Sequence, residues 1–308
     1  MLTSDSSYWG GGIWTLAQTH DGKQASDVTR ILLYINWYSK FTLPCAAGFA
    51  SAYEHDHWLA QLPTSAHAAP GDIETARLRV ISHQLFCRLP RLIAAVRSLR
   101  SYEDELPRET FAAAVRLATE LLQLDGGESE CALLHRISIR RTANDTDALI
   151  VPYSFHVADW QLFEALCYFW QTNILLNRLC STLCRIALAN DQPVDFGRDY
   201  LSSRNINYAR NLLMALPSAT ALGSHGAAPM LYGCVALWAV ICDVPDGTFR
   251  NTPVGLVRAL ILRSFAELWR HPAGLCAAKM DEAAEMLVGG PIGGLLVHMF
   301  SSGNSSLT

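Results

Sequence analysis

The chain is poor in charged residues and contains no pair of cysteines at zinc-finger spacing. Charged side chains make up 17% of its 308 residues, and 24 lysines and arginines stand against 28 aspartates and glutamates. Because phosphate binding needs a dense field of basic side chains, this balance excludes a dominant nucleic-acid-binding surface. The nine cysteines include no Cys-x-x-Cys pair, which excludes the usual zinc-finger spacings. Their odd number predicts reduced thiols in a cytosolic or nuclear protein.

The sequence also lacks a long apolar run and a regular series of strands. Its longest apolar run, residues 230–242, falls short of the roughly 20 residues that a membrane-spanning helix requires. The first residues carry neither a basic head nor an apolar core, so we expect no secretion signal and no membrane span. Short β-like runs such as residues 137–139 are isolated, and no repeat of fixed length is present.

What the sequence does contain is helical periodicity in a chain of which 50% is hydrophobic. That much apolar surface can stabilise a large core, which excludes a disordered regulator. Apolar residues recur every three or four positions. With the proline and glycine signals, they predict helices at 28–38, 46–62, 72–100, 109–124, 155–189, 205–216, 227–242, 253–270 and 274–287. Pro90 predicts a break or kink in the third of these. We therefore expect an all-α fold, a single multi-helix bundle around a central buried helix.

The predicted central helix, residues 155–189, is apolar on almost every side. Its polar residues form one narrow stripe of Gln161, Glu164, Gln171, Arg178 and Arg185. A helix with so broad an apolar face belongs in the middle of a bundle. We assign residues 28–300 to one helical domain, residues 1–27 to a flexible N-terminal segment and residues 301–308 to a loose tail. Residues 140–151 are polar and turn-rich, which predicts an exposed crossing or a functional loop.

Several motifs suggest chemistry but fit a structural role better. Residues 54–57 are four consecutive metal-ligand types, yet consecutive helical positions point in different directions, so a polar helix edge is favoured. Residues 223–226 lack the spacing of a nucleophile turn and predict a flexible loop. The glycines of residues 289–294 lack the Lys-Ser/Thr of a phosphate-binding loop and predict helix termination. Cys180 and Cys184, one turn apart, are interpreted as apolar filler rather than a metal or redox pair.

Carboxylates arranged for a terpene cyclase are not found either. The acidic runs at residues 103–105 and 145–147 lack the spacing and aromatic helical context that magnesium and a diphosphate would need. His156 and Asp159 are three residues apart at the start of the predicted central helix. They fit either a buried acid–base pair or a helix cap.

We place the candidate ligand pocket beside the central helix. Trp160, Tyr168 and Trp170 would supply its aromatic walls, and Arg178 would anchor a carboxylate or enolate. The alternative is that the three rings are ordinary core aromatics and Arg178 is a surface residue. No residue is assigned as catalytic or as a metal ligand, and no cofactor is expected.

The middle of the chain resembles a known family. Residues 151–156 read VPYSFH, residues 160–165 read WQLFEA, residues 168–180 read YFWQTNILLNRLC, and RLPRLI at residues 88–93 is a further shared phrase. Over about residues 73–189 these phrases resemble the C-terminal regulatory region of fungal binuclear-zinc-cluster transcription factors. The resemblance implies a helical regulatory domain and names no catalytic residue. Those factors also carry a six-cysteine zinc cluster that this sequence does not contain, so we do not expect direct sequence-specific DNA binding.

Three classes of function remain open. The resemblance implies a transcription-regulator-like protein in the nucleus or cytoplasm, acting on a fungal gene cluster of specialised metabolism through protein partners or a small effector. The alternative is a small-molecule-binding enzyme of a fungal biosynthetic pathway, recruited from the same scaffold, although the sequence indicates no reaction and favours a non-enzyme. The third is a partial gene product with a scaffolding or vestigial role. No direct contact with nucleic acid or membrane is expected.

Overall fold

The computed structural model describes residues 41, 45, 50–54, 73–102, 106–269 and 276–292. Most of these residues are helical, which confirms the predicted all-α bundle. The helices are a 3-10 turn at Ala52–Glu54, α1 (Ile73–Arg100), α2 (Arg108–Leu122), α3 (Gly127–Leu134), α4 (Asp145–Ile150), α5 (Trp160–Ala189), α6 (Arg198–Ala221), α7 (Ser224–Asp243), α8 (Val254–Trp269) and α9 (Ala277–Met286). The strands are β1 (Ser138–Arg141) and β2 (Tyr153–His156).

Some predictions fall wholly or partly on other residues. The helix at 28–38 and the segments 1–27 and 301–308 lie outside the described residues. Of the helix predicted at 46–62, only residues 50–54 are described, and they form an irregular stretch followed by the 3-10 turn.

Helix α5 is the centre of the bundle, as its sequence predicts. It packs against α1, α6 and α7, and also against α2. Every residue from 165 to 177 is buried, and a run of that length makes more than three turns. The helix is therefore covered on all sides over its middle portion.

The central helix begins at Trp160 and not at residue 155. Asp159 is its N-cap, because Asp159 Oδ1 accepts a hydrogen bond from the backbone N–H of Gln161 at 2.9 Å. This confirms the cap interpretation of Asp159. His156 lies in β2, so the two residues do not form an acid–base pair on one helical face. The apolar residues before the cap continue the helical spacing, which is why the sequence placed the start too early.

The two strands were not predicted by the sequence analysis. β1 pairs antiparallel with β2, with Ser138 opposite His156. All four residues of β1 are exposed, so β1 lacks the alternating burial by which a strand is recognised. Asn144 caps α4 between the strands by accepting two backbone hydrogen bonds. The turn-rich segment at 140–151 is thus a strand end and a helix, and α4 contacts α8.

Helix α1 continues through Pro90, so of the predicted break or kink the break does not occur. Pro90 is buried within the helix, and its packing in the core compensates for the hydrogen bond that a proline cannot donate. The short connection between the end of α2 and the start of α3 contains Gly126, which is the N-cap residue of α3. A side chain on Gly126 would place its Cβ 2.6 Å from the Phe169 ring, so this turn packs directly on α5.

Helices α6 and α7 are joined by a tight turn where the sequence predicted a flexible loop. Gly223 has a φ of 59°, in the left-handed region that favours glycine. An added Cβ on Gly226 would lie 2.1 Å from the backbone oxygen of Ala219. The glycines therefore allow a close approach of α6 and α7.

Residues His225–Asp243 of α7 are long and apolar enough to cross a membrane, judged by length and composition alone. In the structure 83% of this apolar stretch is buried inside the bundle, where α7 packs against α5, α6, α8 and α9. A core helix needs the same all-round apolar composition as a membrane span, so burial accounts for the hydropathy of α7.

Helix α9 ends as the glycines at 289–294 predict. Gly289 adopts a φ of 87°, which favours glycine. Arg97 of α1 donates hydrogen bonds to the backbone oxygens of Met286 and Gly290 at 3.2 and 2.7 Å. The described part of this segment therefore terminates α9, while residues 293–294 lie outside the described residues.

Candidate functional site

A cavity of about 300 Å³ lies beside the second half of α5, where α6 and the end of α7 approach it. We call it the arginine cavity, and it is lined by Arg178, Ser181, Thr182, Arg185, Arg198, Ser202, Asn205, Ile206, Val240, Asp243 and Val244. Three of these residues are arginines and one is an aspartate, so the lining has positive charge in excess. Hydroxyl and amide groups surround the charges. This combination suits a small anion.

Arg178 is the one residue of this cavity that the sequence analysis selected. Only 11% of its side chain is exposed, and its Nη1 lies 2.8 Å from Asp243 Oδ2. The same nitrogen donates to the backbone oxygen of Ala239. Burial lowers the pKa of the Arg178 guanidinium, and the Asp243 carboxylate raises it. Both contacts are made with α7, so the guanidinium is held in one orientation, and Arg178 is not the surface residue of the alternative interpretation.

Arg185 and Arg198 line the same cavity without such a neutralising partner. Among the residues that the structure describes, neither forms an ion pair. Arg185 Nη2 donates to Thr182 Oγ1 at 3.0 Å. Burial raises the pKa of the nearby Cys184 thiol, and the positive charge of Arg198 lowers it. The charge of Arg198 therefore acts on this part of α5, and the excess positive charge belongs to these two arginines.

A buried amide pair supports the wall of the arginine cavity. Asn177 of α5 is fully buried, and its Nδ2 donates to Asn205 Oδ1 of α6 at 3.1 Å. Among the described residues, Asn177 Oδ1 has no hydrogen-bond partner. A hydrogen bond between buried amides on facing helices is strong in this environment. It holds Asn205 in its position on the cavity wall.

Trp160 lies at the opposite end of α5, about 27 Å from Arg178 along the helix axis. Trp160 is 40% exposed, and its ring stacks on the His225 imidazole with 5.3 Å between ring centroids. The Arg79 guanidinium lies 5.8 Å from the Trp160 ring and is 2.9 Å from Glu164. Burial raises the pKa of the Glu164 carboxyl, and Arg79 lowers it. This cluster covers the N-terminal end of α5.

Tyr168 and Trp170 are residues of the hydrophobic core. The Tyr168 ring meets the Phe86 ring of α1 edge-on, with 5.5 Å between centroids. Trp170 is 1% exposed and stacks on Phe155 of β2 at 5.9 Å. Its Nε1 donates to Glu130 Oε1 at 2.6 Å. Neither ring lines the arginine cavity.

The structure therefore separates the four predicted site residues, and helix geometry explains why. At 100° per residue, Tyr168 and Trp170 project about 80° to either side of the face that carries Arg178. Trp160 is on that face but five turns away. Arg185, which the polar stripe contained but the site prediction did not, lies on that face only two turns from Arg178. Residues such as Arg198 come from α6, and no pattern in the sequence showed which face of α5 that helix would meet.

A second cavity, of about 570 Å³, lies between α3 and α6. Glu130 lines it and accepts the hydrogen bond from Trp170. Burial raises the pKa of the Glu130 carboxyl, while the Trp170 hydrogen bond and the charge of Arg204 lower it. Arg204 lies 5.5 Å from the Tyr208 ring centroid and donates to its hydroxyl at 2.6 Å. Glu130 thus ties α3 to α5 through Trp170 and to α6 through Asn211, which donates to Glu130 Oε1 at 3.2 Å, while Arg204 and Tyr208 bind each other within α6.

Metal-binding motifs gain no support within the described ranges. There, no group of three or more His, Cys, Asp or Glu side chains could hold a metal ion. Of the motif at 54–57, residues 55–57 lie outside the described residues, and Glu54 pairs with Arg91 at 2.8 Å. Cys180 and Cys184 are free thiols, and burial raises the pKa of both. Cys180 is fully buried, as its interpretation as apolar filler requires, whereas Cys184 is only partly buried.

No protein-family model, curated protein or solved structure matches this chain. The function is therefore proposed from the geometry of the arginine cavity and from the resemblance described above for residues 73–189.

Proposed function

We propose that this chain is the regulatory part of a transcription-regulator-like protein and that the arginine cavity holds its small anionic effector. The phrases within residues 73–189 support the first half of the proposal, because they resemble the regulatory region of fungal zinc-cluster factors. The all-α bundle agrees with the helical domain that this resemblance implies. A separate protein partner, and not this chain, contacts the DNA. The protein acts in the nucleus or cytoplasm on genes of specialised metabolism.

The observation that carries the effector site is the set of three arginines around one cavity. Arg178 is fixed by Asp243, while Arg185 and Arg198 have no ion pair with a described residue. A volume of about 300 Å³ is at the lower end of the range for ligand pockets. An anion bound there would contact α5, α6 and α7 together and favour one arrangement of these helices. Such a shift is how a small molecule changes the binding of a protein partner.

The enzyme alternative finds less support in the same cavity. A general base must be free to accept a proton near neutral pH. The carboxylate in the described lining, Asp243, lies 2.8 Å from Arg178, so one of its oxygens is already engaged by that guanidinium. The other polar groups of that lining are arginine, serine, threonine and asparagine side chains. They can bind an anion but do not form an acid–base pair.

The test replaces the gene in the source organism with an Arg185→Ala/Arg198→Ala allele. The matched control is Arg210→Ala, an exposed arginine of α6 that lines neither cavity and donates to Asn207 at 3.3 Å. Transcripts and metabolites are measured together in both strains and in a deletion strain. We expect the double variant to lose the same transcripts as the deletion and the control to keep them. Equal melting temperatures of the purified proteins would show that the fold is intact.

Other outcomes contradict the proposal in distinct ways. Intact transcripts with accumulation of one intermediate would identify an enzyme instead. Wild-type transcripts and metabolites in the double variant would show that the arginine cavity is not an effector site. Tight binding of a DNA operator by the purified chain alone would contradict the proposal that a partner protein contacts the DNA.

A further inference from the structure

The two-stranded sheet has one open edge. The outer edge of β2 lies against α6, where Ser218 Oγ donates to the backbone oxygen of Phe155 at 2.6 Å and accepts from the backbone N–H of Val157 at 3.2 Å. Within the described residues, β1 pairs with β2 alone, and all four residues of β1 are exposed. The outer side of β1 (Ser138–Arg141) is therefore open, and we call it the β1 edge.

The register of the sheet shows which backbone groups face the β1 edge. Thr142, directly after β1, donates its backbone N–H to the backbone oxygen of Pro152 at 2.9 Å. Because hydrogen-bonded and non-hydrogen-bonded pairs alternate along an antiparallel ladder, the even-numbered residues of β1 face β2. The N–H and C=O groups of Ile139 and Arg141 therefore point away from β2. No described residue outside the sheet forms a backbone hydrogen bond with either residue.

The side chains along the β1 edge are one isoleucine followed by two arginines. Ile139 is 60% exposed, and the 56%-exposed Tyr153 lies diagonally across from it, two residues before its partner Phe155. Side chains at such diagonal positions are on the same face of a sheet. Arg140 and Arg141 are exposed, and neither forms an ion pair with a described residue. The edge thus offers an apolar contact at Ile139 and two uncompensated positive charges beside it.

These charges decide which kind of strand the β1 edge can accept. A second copy of this chain would bring the same two arginines to the edge, and like charges on neighbouring strands repel each other. Charged side chains on exposed edge strands keep identical edges from pairing in this way. An acidic strand would instead place its carboxylates against Arg140 and Arg141. Charge complementarity therefore favours an acidic partner over self-association.

We propose that the β1 edge binds an extended acidic segment of the partner protein, which joins the sheet as an additional strand. This inference rests on the proposed function for the existence of a partner and adds the surface and the chemistry of its docking. The added strand forms hydrogen bonds with the backbone of Ile139 and Arg141. Its carboxylates lie opposite Arg140 and Arg141, and an apolar side chain lies opposite Ile139. The arginine cavity takes no part in this contact.

Three capped, fluorescently labelled peptides test the contribution of charge and of backbone hydrogen bonds. The first, Thr-Val-Glu-Glu-Val-Thr, can place its acids opposite Arg140 and Arg141 whether it runs parallel or antiparallel to β1. The second replaces both glutamates with glutamine. The third keeps the glutamates but carries methyl groups on the backbone nitrogens of its glutamate and valine residues, so it cannot donate hydrogen bonds from them.

The affinities of these peptides for the purified chain are measured by fluorescence anisotropy at low salt. Two cross-strand ion pairs predict that the acidic peptide binds about fivefold more tightly than the glutamine peptide. This difference is expected to shrink as salt is added, because the charges are exposed. The loss of backbone donors predicts that the methylated peptide binds at least about tenfold more weakly than the acidic peptide.

Variants of β1 locate the binding surface. Ile139→Pro removes an N–H group that faces away from β2, so the β1–β2 ladder is kept, and peptide binding is expected to fall at least about tenfold. Ile139→Ala keeps that N–H and is expected to bind within about threefold of the wild type. Arg140→Gln/Arg141→Gln is expected to bind the acidic and glutamine peptides equally. The matched control, Arg77→Gln/Arg210→Gln, changes two exposed arginines elsewhere and is expected to keep the preference for the acidic peptide.

Each contrary result overturns a stated part of the inference. Equal binding of the acidic and glutamine peptides would exclude an acidic partner. Equal binding of the methylated peptide would exclude strand addition, even if the proline variant failed to fold. A dimer of the wild-type chain that Ile139→Pro abolishes in sedimentation would identify a second copy as the occupant. Binding of a DNA duplex that needs Arg140 and Arg141, with no peptide bound, would identify a nucleic-acid contact instead.

These results are separate from the test of the proposed function. Absence of peptide binding would overturn strand addition at the β1 edge and leave the effector site in place, because the transcripts of the Arg185→Ala/Arg198→Ala strain test that site alone. Peptide binding together with wild-type transcripts in that strain would overturn the effector site and leave the β1 edge as a docking surface.

Discussion

Replacing Arg97 with alanine is expected to destabilise the bundle, because this one guanidinium joins three segments of the chain. Arg97 belongs to α1 and donates to the backbone oxygen of Gly290 at 2.7 Å. It also donates to the backbone oxygens of Met286 and Cys45, each at 3.2 Å. Met286 and Gly290 lie at the end of α9, where a positive charge is favourable to the helix dipole. Alanine would leave these carbonyl groups without their donor.

The size of the effect follows from the number and kind of the bonds. A hydrogen bond from a charged group contributes about 1.5–3 kcal/mol when its partner is removed. Arg97 is only half-buried, so water replaces part of what is lost and the lower end of this range applies. Three such bonds predict a decrease in the free energy of unfolding of about 3–5 kcal/mol.

Urea unfolding of the purified chain, followed by circular dichroism, measures this decrease. The matched control is Arg77→Ala, an exposed arginine on the same helix, for which we expect a change within about 0.5 kcal/mol. Arg97→Lys keeps the charge but not the planar fork of donors. We expect it to fall between alanine and the wild type.

Two results would refute the reasoning. A decrease of less than about 1 kcal/mol in Arg97→Ala would mean that the three carbonyl groups do not depend on this donor. Wild-type stability in Arg97→Lys would mean that the positive charge, and not the directed hydrogen bonds, supports the end of α9.

Two further predictions concern Glu130 and a pair of glycines. Because burial raises the Glu130 pKa above its usual 4.5, the folded state binds this proton more tightly than the unfolded state, and the free energy of unfolding falls as pH rises through the raised pKa. Glu130→Gln keeps an acceptor for Trp170 but has no carboxyl group that binds a proton. Its free energy of unfolding, measured by urea titration at a series of pH values between about 4 and 8, is therefore expected not to show this decrease; the same pH dependence as in the wild type would contradict the prediction. Gly226→Ala is expected to lower stability by about 2–3 kcal/mol, since its Cβ would overlap Ala219. Gly255→Ala in α8, whose added Cβ would meet no atom of another described segment within 4 Å, is expected to raise stability by about 0.5–1 kcal/mol, and changes of the same sign in both would refute the steric argument.

The helices and the centre of the bundle could be predicted because their signals are local. Apolar spacing of three and four residues predicted α1 and α2 to within two residues at each end. The all-round apolar character of α5 predicted its burial. A helix cap was one of the two interpretations of Asp159, although the predicted helix began four residues before it. Each of these signals depends on residues within one or two turns of each other.

The candidate site could be predicted only in part. Arg178 was selected, and the seven-residue spacing in the polar stripe already placed Arg185 on the same face. The stripe did not show which of its members would meet solvent. Gln171 is fully buried near Gly233 of α7, and no described residue forms a hydrogen bond with its side-chain amide, whereas Arg185 is exposed.

What the sequence determined by itself is the helical class, the central position of α5 and the chemistry available along its polar stripe. These follow from short-range periodicity, which is a property of each segment of the sequence and does not depend on which other helices that segment packs against. Only the tertiary structure decided that Trp160, Tyr168 and Trp170 point to three different places and that α6 brings Arg198 and Asn205 to Arg178. It also decided that the exposed β1 pairs with β2. Contacts between distant segments depend on which helical faces meet, and that choice is made by the packing of the whole core.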